Sequence, residues 1–186
     1  MLTRNEALEL LKAHNTEASL INHALESEAV MGALAEKLGK DVELWRITGL
    51  LHDLDYATTK TETARHGLDT EEMLEGKLPT EALDAIRRHA NDMNGAEAPS
   101  TDFDYALRCG ETVTGMVHAG ALVRPTKIEG MKAKSLKKKM KDKAFAASVN
   151  RECIRECDKI GLELGEFLQL AIDAVEKIAP EVGLAN

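Results

Sequence analysis

Apolar residues recur at helical spacing along nearly the whole chain, and no stretch alternates apolar with polar residues as a half-buried strand would. That regularity restricts the fold to helices packed on helices, and the expected class is an all-α bundle. From about Leu20 to Leu38 the apolar positions are Ile21, Ala24, Leu25, Met31, Leu34, Ala35 and Leu38, and Gly39 offers a C-terminal cap. Asp41 is placed as the N-cap of a third helix carrying Leu44, Ile47, Leu51 and Leu54. Shorter helices are expected over 3–14, from near His66 to about Gly76, and from Pro79-Thr80 through Ala82, Ile86 and His89. The segment Ala90–Asp102, rich in Asn, Gly, Pro and Ser, reads as a loop. A long helix follows from about Phe103 to Val123, and two more are expected near Ser148–Ile160 and Leu164–Ile178. Composition points the same way, since Leu, Ala, Glu and Lys dominate and prolines number only four.

A chain of 186 residues is long enough to bury one self-sufficient core, so a single domain over 1–186 is expected. The net charge of −8 argues against a nucleic-acid scaffold as the main role, while leaving room for a local basic patch that binds phosphate. The longest uncharged stretch, Thr112–Val123, falls well short of the roughly 20 residues a membrane span needs. The opening residues are amphipathic and interrupted by Glu6 and Glu9, unlike a secretory signal. Cys109, Cys153 and Cys157 make an odd count without framework spacing, which suits a reducing compartment, and a cytoplasmic location is expected. Cys153 and Cys157 read as buried thiols, because a structural zinc site would need further partners.

The residues with metal chemistry begin with the pair His52-Asp53, which directly follows the apolar Leu50-Leu51. Consecutive helical positions point about 100° apart, so both side chains can reach one ion only beside a kink or a helix end. His23 lies at the flank of the apolar stripe near Val30 and Leu34, His66 opens the next helical segment, and His89 aligns with Ala82 and Ile86. One inward histidine is commonly a core residue bonded to a carbonyl. Four of them on successive segments, with an inward carboxylate, point to a divalent-metal site. Glu111 shares a helical face with Leu107, Thr114, His118 and Leu122. A carboxylate among apolar groups needs a cation, either a metal or a basic neighbour such as Arg108 or Arg124. His118 reads as core or pocket wall, and His14 as peripheral.

In order and helical context, His23 … His52-Asp53 … Glu111 resembles the HD-domain metal-dependent phosphohydrolase superfamily, over roughly Leu20 to Pro125. The resemblance implies an HD-domain-like helical bundle, with a metal-binding core over about 20–125 and helices over about 127–180 completing it. It implies that His23, His52, Asp53 and Glu111 hold a divalent metal. His66 and His89 occupy the places of second-metal ligands, in which case Asp53 would bridge two ions. Three departures stand out. Glu111 stands where the family usually has Asp. Ala90 follows His89 where the cyclic-dinucleotide phosphodiesterases of the superfamily carry a second His. The pair continues as Leu54-Asp55-Tyr56 instead of Ile-Gly-Lys, which resembles a bacterial branch with HD-x-D-Y.

The activity so implied is hydrolysis of a phosphate ester on a small phosphorylated substrate, with nucleotides among the candidates. The metal would be Mn, Fe, Co, Ni, Zn or Mg, one or two ions per chain. Asp53 would anchor it, and Asp55 and Glu26 are candidates for proton transfer or ligand orientation. Lys60, Arg65 and Arg88, close in sequence to the ligands, are candidates for binding the substrate phosphate. The run Lys132–Lys143, with seven lysines, is either a solvated helix face or a border of the site that steers an anionic substrate. An alternative is a non-catalytic, metal-containing module that senses a nucleotide or phosphate, which Glu111 and the single His89 favour. A helical interaction protein with incidental histidines is a third reading, and the helical faces leave a homodimer open.

Overall fold

The computed structural model describes residues 1–186 and contains helices, turns and loops but no strand. Helix α1 (Arg4–His14) starts at a capping box in which Thr3 and Glu6 exchange hydrogen bonds. Helix α2 (Ala18–Leu38) stops at Gly39, which takes the left-handed conformation at φ 65°. Asp41 then caps α3 (Val42–Leu51) by accepting the Leu44 N–H at 3.0 Å. Short helices α4 (Tyr56–Thr59) and α5 (Leu68–Leu74) lead to α6 (Thr80–His89) and α7 (Asn91–Asn94). A second capping box, Thr101 with Asp104, opens the long α8 (Asp102–Leu122). The chain closes with α9 (Ala133–Lys139), α10 (Arg151–Arg155) and α11 (Leu164–Lys177).

Helices α2 and α8 form the spine. Helix α3 packs along α2, α6 along α8, and α11 against both. One continuous apolar core runs from Ala7 and Leu11 through Leu34, Leu50, Leu107 and Phe167 to Val182 and Leu184. The crossing of α2 and α3 is close enough to exclude a side chain. A Cβ on Gly49 would lie 2.7 Å from the Ser27 carbonyl oxygen and 2.8 Å from Met31 Cγ. A buried carboxylate fastens the same layer, since Glu28 accepts from Arg4 Nε at 2.5 Å and from Arg46 Nη2 at 2.7 Å.

Three boundaries differ from the periodicity, each for a local reason. Helix α3 ends at Leu51 rather than continuing to Leu54, and residues 52–55 are turns, so His52 and Asp53 sit at a helix end. The Ala90–Asp102 segment contains the single-turn α7, which stops at Gly95 in the left-handed region. The expected Ser148–Ile160 helix begins only at Arg151, because residues 142–149 wrap around that residue's guanidinium. Arg151 donates to the carbonyls of Asp142, Phe145, Ala146 and Val149. The helix then tightens into a 3-10 turn over Glu156–Ile160.

Candidate metal centre

The site forms where four segments end or cross, and each imidazole is aimed by a bond on its Nδ1 side. The His52 ring is fully buried, and its Nδ1 lies 2.8 Å from the Gly49 carbonyl oxygen. A carbonyl only accepts, so Nδ1 carries the proton and Nε2 presents a lone pair. The same logic holds for His89, whose Nδ1 is 2.5 Å from the Ile86 carbonyl. His23 Nδ1 is 2.9 Å from Thr114 Oγ1, and that hydroxyl gives its own proton to the Glu111 carbonyl at 2.7 Å. His66 Nδ1 donates to Asp55 Oδ1 at 2.8 Å. Gly67, at φ 80°, makes the bend after His66 possible, and a Cβ there would press on the Ile86 carbonyl at 3.0 Å.

The four Nε2 atoms converge on Asp53. Asp53 Oδ1 is 3.3 Å from His52, 3.2 Å from His66 and 3.3 Å from His89, while Oδ2 is 3.5 Å from His23. Two sets of ligand atoms result, His23–His52–Asp53 and Asp53–His66–His89, with Asp53 common to both. The Nε2 atoms of His23 and His52 face each other at 3.2 Å. Since both carry their protons on Nδ1, two lone pairs meet there with no hydrogen between them, and a cation resolves that conflict. Ligands held about 2.0–2.2 Å from one ion lie roughly 3.0–3.5 Å from one another, so the spacing also fits. This His/Asp cluster can hold a metal ion.

Electrostatics follow from burial and crowding. Burial pushes the His52 pKa down to about 3, against the pull of Asp53. For Asp53 burial acts upward, but the surrounding imidazoles outweigh it and hold the carboxyl well below its ordinary value. His66 is likewise disfavoured by burial as a cation, yet Asp53 and Asp55 on either side raise it to about 10. Glu111 Oε2 lies 3.7 Å from His23 Nε2, at the edge of the cluster. Burial and the Asp53 charge raise Glu111 to about 8.

The cluster forms the floor of a cavity of about 500 Å³. Its walls include Leu20, Tyr56, Thr63, Met93 and Thr112, with Ser148, Val149 and Asn150 arriving from the C-terminal third. The structure thus brings together all six residues expected to hold metal: His23, His52, Asp53, His66, His89 and Glu111. Asp55 lies behind His66, 1 % exposed, and does not reach the cavity. Glu26 turns away from His23 and accepts from His118 Nδ1 at 2.6 Å.

The three cations expected to bind phosphate do not line the cavity. Lys60 pairs with Glu17 at 2.8 Å, Arg65 with Asp69 at 2.9 Å, and Arg88 with Asp104 at 3.2 Å. Closeness in sequence to a ligand does not carry a long side chain into the same cavity. The basic residue that does line it is Arg108, expected only as a partner for Glu111. Its N–H groups go to Glu156, Asp92, Asn91, the His89 carbonyl and Cys153 Sγ. Arg108 is therefore a brace between the His89 end of α6 and the C-terminal segment. One signal for it was present in the sequence, because Arg108 precedes Glu111 by three residues on one helix. Thr114, which orients His23, was visible on the same face as Glu111. The Cys153 and Cys157 thiols are buried, and both are raised to about 11, chiefly by burial.

Fold and site together define an all-α protein with a His/Asp cluster able to hold metal at helix ends. The HD-domain family model matches residues 20–147, and the chain belongs to that family. The match runs past Pro125 and through the lysine-rich segment. No curated protein matched the chain, and no solved structure did. No helix is long and apolar enough to cross a membrane.

Proposed function

We propose that this protein is a metal-dependent phosphohydrolase that cleaves a phosphate ester, with a nucleotide among the substrates it takes. The observation that carries the reading is the convergence of four oriented imidazole Nε2 atoms on the single carboxylate Asp53, at the floor of an open cavity. His23, His52, Asp53 and Glu111 would hold one divalent ion, and Asp53, His66 and His89 a second. Imidazole and carboxylate donors suit Mn, Fe, Co, Ni or Zn. When bound, such an ion supplies Lewis-acid polarisation of a phosphoryl oxygen and makes water more acidic.

The chain's own groups do the rest. Asp53 supplies the anion that offsets the buried positive charge. Asp55 accepts the Nδ1 proton of His66, so Nε2 is the nitrogen that gives up its proton to face an ion, and the Gly49 and Ile86 carbonyls hold the Nδ1 protons of His52 and His89. Glu111, with Oε2 3.7 Å from His23 Nε2, is placed to complete the first ion's ligand set from the edge of the cavity. Thr112, whose hydroxyl bonds Glu111, fixes the direction of that carboxyl. Leu20 and Met93 give the cavity wall an apolar portion. The buried free thiols fit a reducing, cytoplasmic setting.

The test is elemental analysis of the purified, untagged protein, followed by phosphate release from a panel of phosphomonoesters and nucleotides. One or two transition-metal ions per chain with metal-dependent release is the expected result. Metal without turnover, but with nucleotide bound, would replace the hydrolase reading by a sensor. No metal after reconstitution with Mn, Fe, Co, Ni or Zn would overturn both.

A further inference from the structure

The cavity that would receive a phosphate ester is short of free positive charge. Asp53, Asp92 and Glu111 line it, and the donors of Arg108 are already taken. Yet the segment from Lys132 to Lys143 carries seven lysines against one acid, Asp142, in a chain of net charge −8. The lysines that form ion pairs in this protein are Lys37, Lys40 and Lys60, and none of the seven has a carboxylate within 4.0 Å. Six of them are exposed, the exception being Lys139, whose Nζ lies 4.3 Å from the centroid of the Phe145 ring. Concentrated, unpaired charge of this kind is costly unless a mobile or bound anion meets it.

Helix α8 measures how near this charge lies to the metal cluster. Leu136 of α9 seats over Gly120, where a Cβ would be 3.1 Å from its Cδ1. Val149 seats over Gly115, where a Cβ would be 2.8 Å from its Cγ2. At 1.5 Å per residue, those seats lie about 14 Å and about 6 Å along α8 from Glu111. The chain therefore leaves the lysine-rich α9 and descends along α8 to the cavity lip, Ser148–Asn150. Arg151 fastens that descent by collecting four carbonyls of residues 142–149, so the lip is a built wall of the cavity. The apolar residues of the strip, Leu136 and Met140, are buried in the core. Within the strip itself no large apolar side chain is exposed, which favours a dissolved polyanion over a membrane surface.

We propose that the preferred substrate is a chain of phosphates, either an oligonucleotide or a linear polyphosphate. Its terminal phosphate enters the metal cavity while the following phosphates lie along the lysines of 132–143. This rests on the phosphohydrolase reading and adds the substrate class. The chain's overall negative charge, which argued against nucleic acid, averages over this local concentration of the opposite sign.

The test uses the full-length, metal-loaded protein and fluorescence anisotropy with a labelled, terminally phosphorylated oligothymidylate. Thymidine monophosphate and inorganic polyphosphate serve as competitors, across about 50–200 mM salt. The variant replaces Lys134, Lys137, Lys138 and Lys141 by Gln, all exposed positions, with circular dichroism confirming the fold. The wild type is expected to bind the oligonucleotide at least about tenfold more tightly than the monophosphate. The variant is expected to lose that preference, with a salt slope shallower by up to about 3, since each neutralised strand contact contributes roughly 0.7. Polyphosphate competing as well as oligonucleotide assigns recognition to the phosphates alone, and weaker competition assigns it to a nucleic-acid strand. Equal affinity for chain and monophosphate, or unchanged chain binding by the variant, overturns the proposal. Chain binding without metal-dependent phosphate release instead removes the hydrolase reading, and with it the chain's standing as substrate.

Discussion

Replacing Asp55 by Asn tests the logic of the metal centre without touching a proposed ligand. In the native carboxylate, Oδ1 accepts from His66 Nδ1 at 2.8 Å, and Oδ2 accepts from Gly67 N at 2.7 Å and Thr70 N at 3.2 Å. An Asn side chain has one oxygen, so it can serve only one of these two groups. Leaving a buried donor without a partner costs about 1–3 kcal/mol, so losing the two backbone amides costs about 2–6 kcal/mol and losing the histidine about half that. The oxygen will therefore stay on Gly67 and Thr70, and the Asn N–H₂ will face His66. His66 must then accept at Nδ1 and carry its proton on Nε2, the atom that now points at Asp53 at 3.2 Å. The ring keeps its place but can no longer ligate. Loss of a group that orients a ligand typically costs 10–100-fold in metal affinity. The Asp55→Asn protein should fold, lose about 1–3 kcal/mol of stability, and bind the ion at Asp53–His66–His89 about 10–100-fold more weakly. Isothermal titration of metal into chelator-stripped protein measures this, and nitrogen NMR of the His66 ring reports the tautomer. Unchanged affinity and stoichiometry, or a His66 still protonated on Nδ1, would refute the reasoning.

Three further outcomes follow from the same contacts. Gly49→Ala places a methyl 2.7 Å from a carbonyl that cannot yield, which should cost about 3 kcal/mol and lower Tm by roughly 6–12 °C. A melting curve within about 1 °C of wild type would show that α2 and α3 do not need their close crossing. Stripping the metal with a chelator should lower Tm by roughly 5–10 °C relative to protein at 100 times the dissociation constant, where binding contributes about 2.7 kcal/mol. A Tm indifferent to chelation and reconstitution would argue against a folded-state site. The His118–Glu26 pair predicts a pH dependence, because the hydrogen bond to Glu26 raises the His118 pKa in the folded state. A raised histidine stabilises fully below its unfolded pKa of about 6.5 and loses that effect as pH climbs through the folded value. His118→Ala should therefore lose up to about 1 kcal/mol near pH 6 and approach wild type at alkaline pH, as urea unfolding would record.

The sequence displayed its helices well where a single face must be apolar and a cap is encoded in the next few residues. Gly39, Asp41 and Pro79 marked their boundaries because capping is local chemistry between near neighbours. Boundaries failed where a distant partner decides them. Residues 142–149 bend around Arg151, and the turn at 52–55 is held in part by Thr70 Oγ1, which accepts the Asp55 N–H. The candidate ligands were legible because inward-facing histidines are conspicuous against an apolar stripe. The groups around them were less so. Lys60, Arg65 and Arg88 were chosen by proximity in sequence, and long cations go to whichever carboxylate the fold offers.

The all-α class, the main helical faces and the inward turn of His23, His66, His89 and Glu111 were legible from a periodicity of about 3.6 residues, whereas the burial of Glu28, Asp55 and Asp104 was not. Packing between distant segments is what brings His23, His52, His66 and His89 to one carboxylate, sets Asp55 behind His66 and makes Arg108 a brace of the wall. The same holds for the segment after the lysine run, which ends at the cavity lip. Those relations join residues tens of positions apart, and they depend on close approaches such as those at Gly49, Gly115 and Gly120, whose geometry no local pattern encodes.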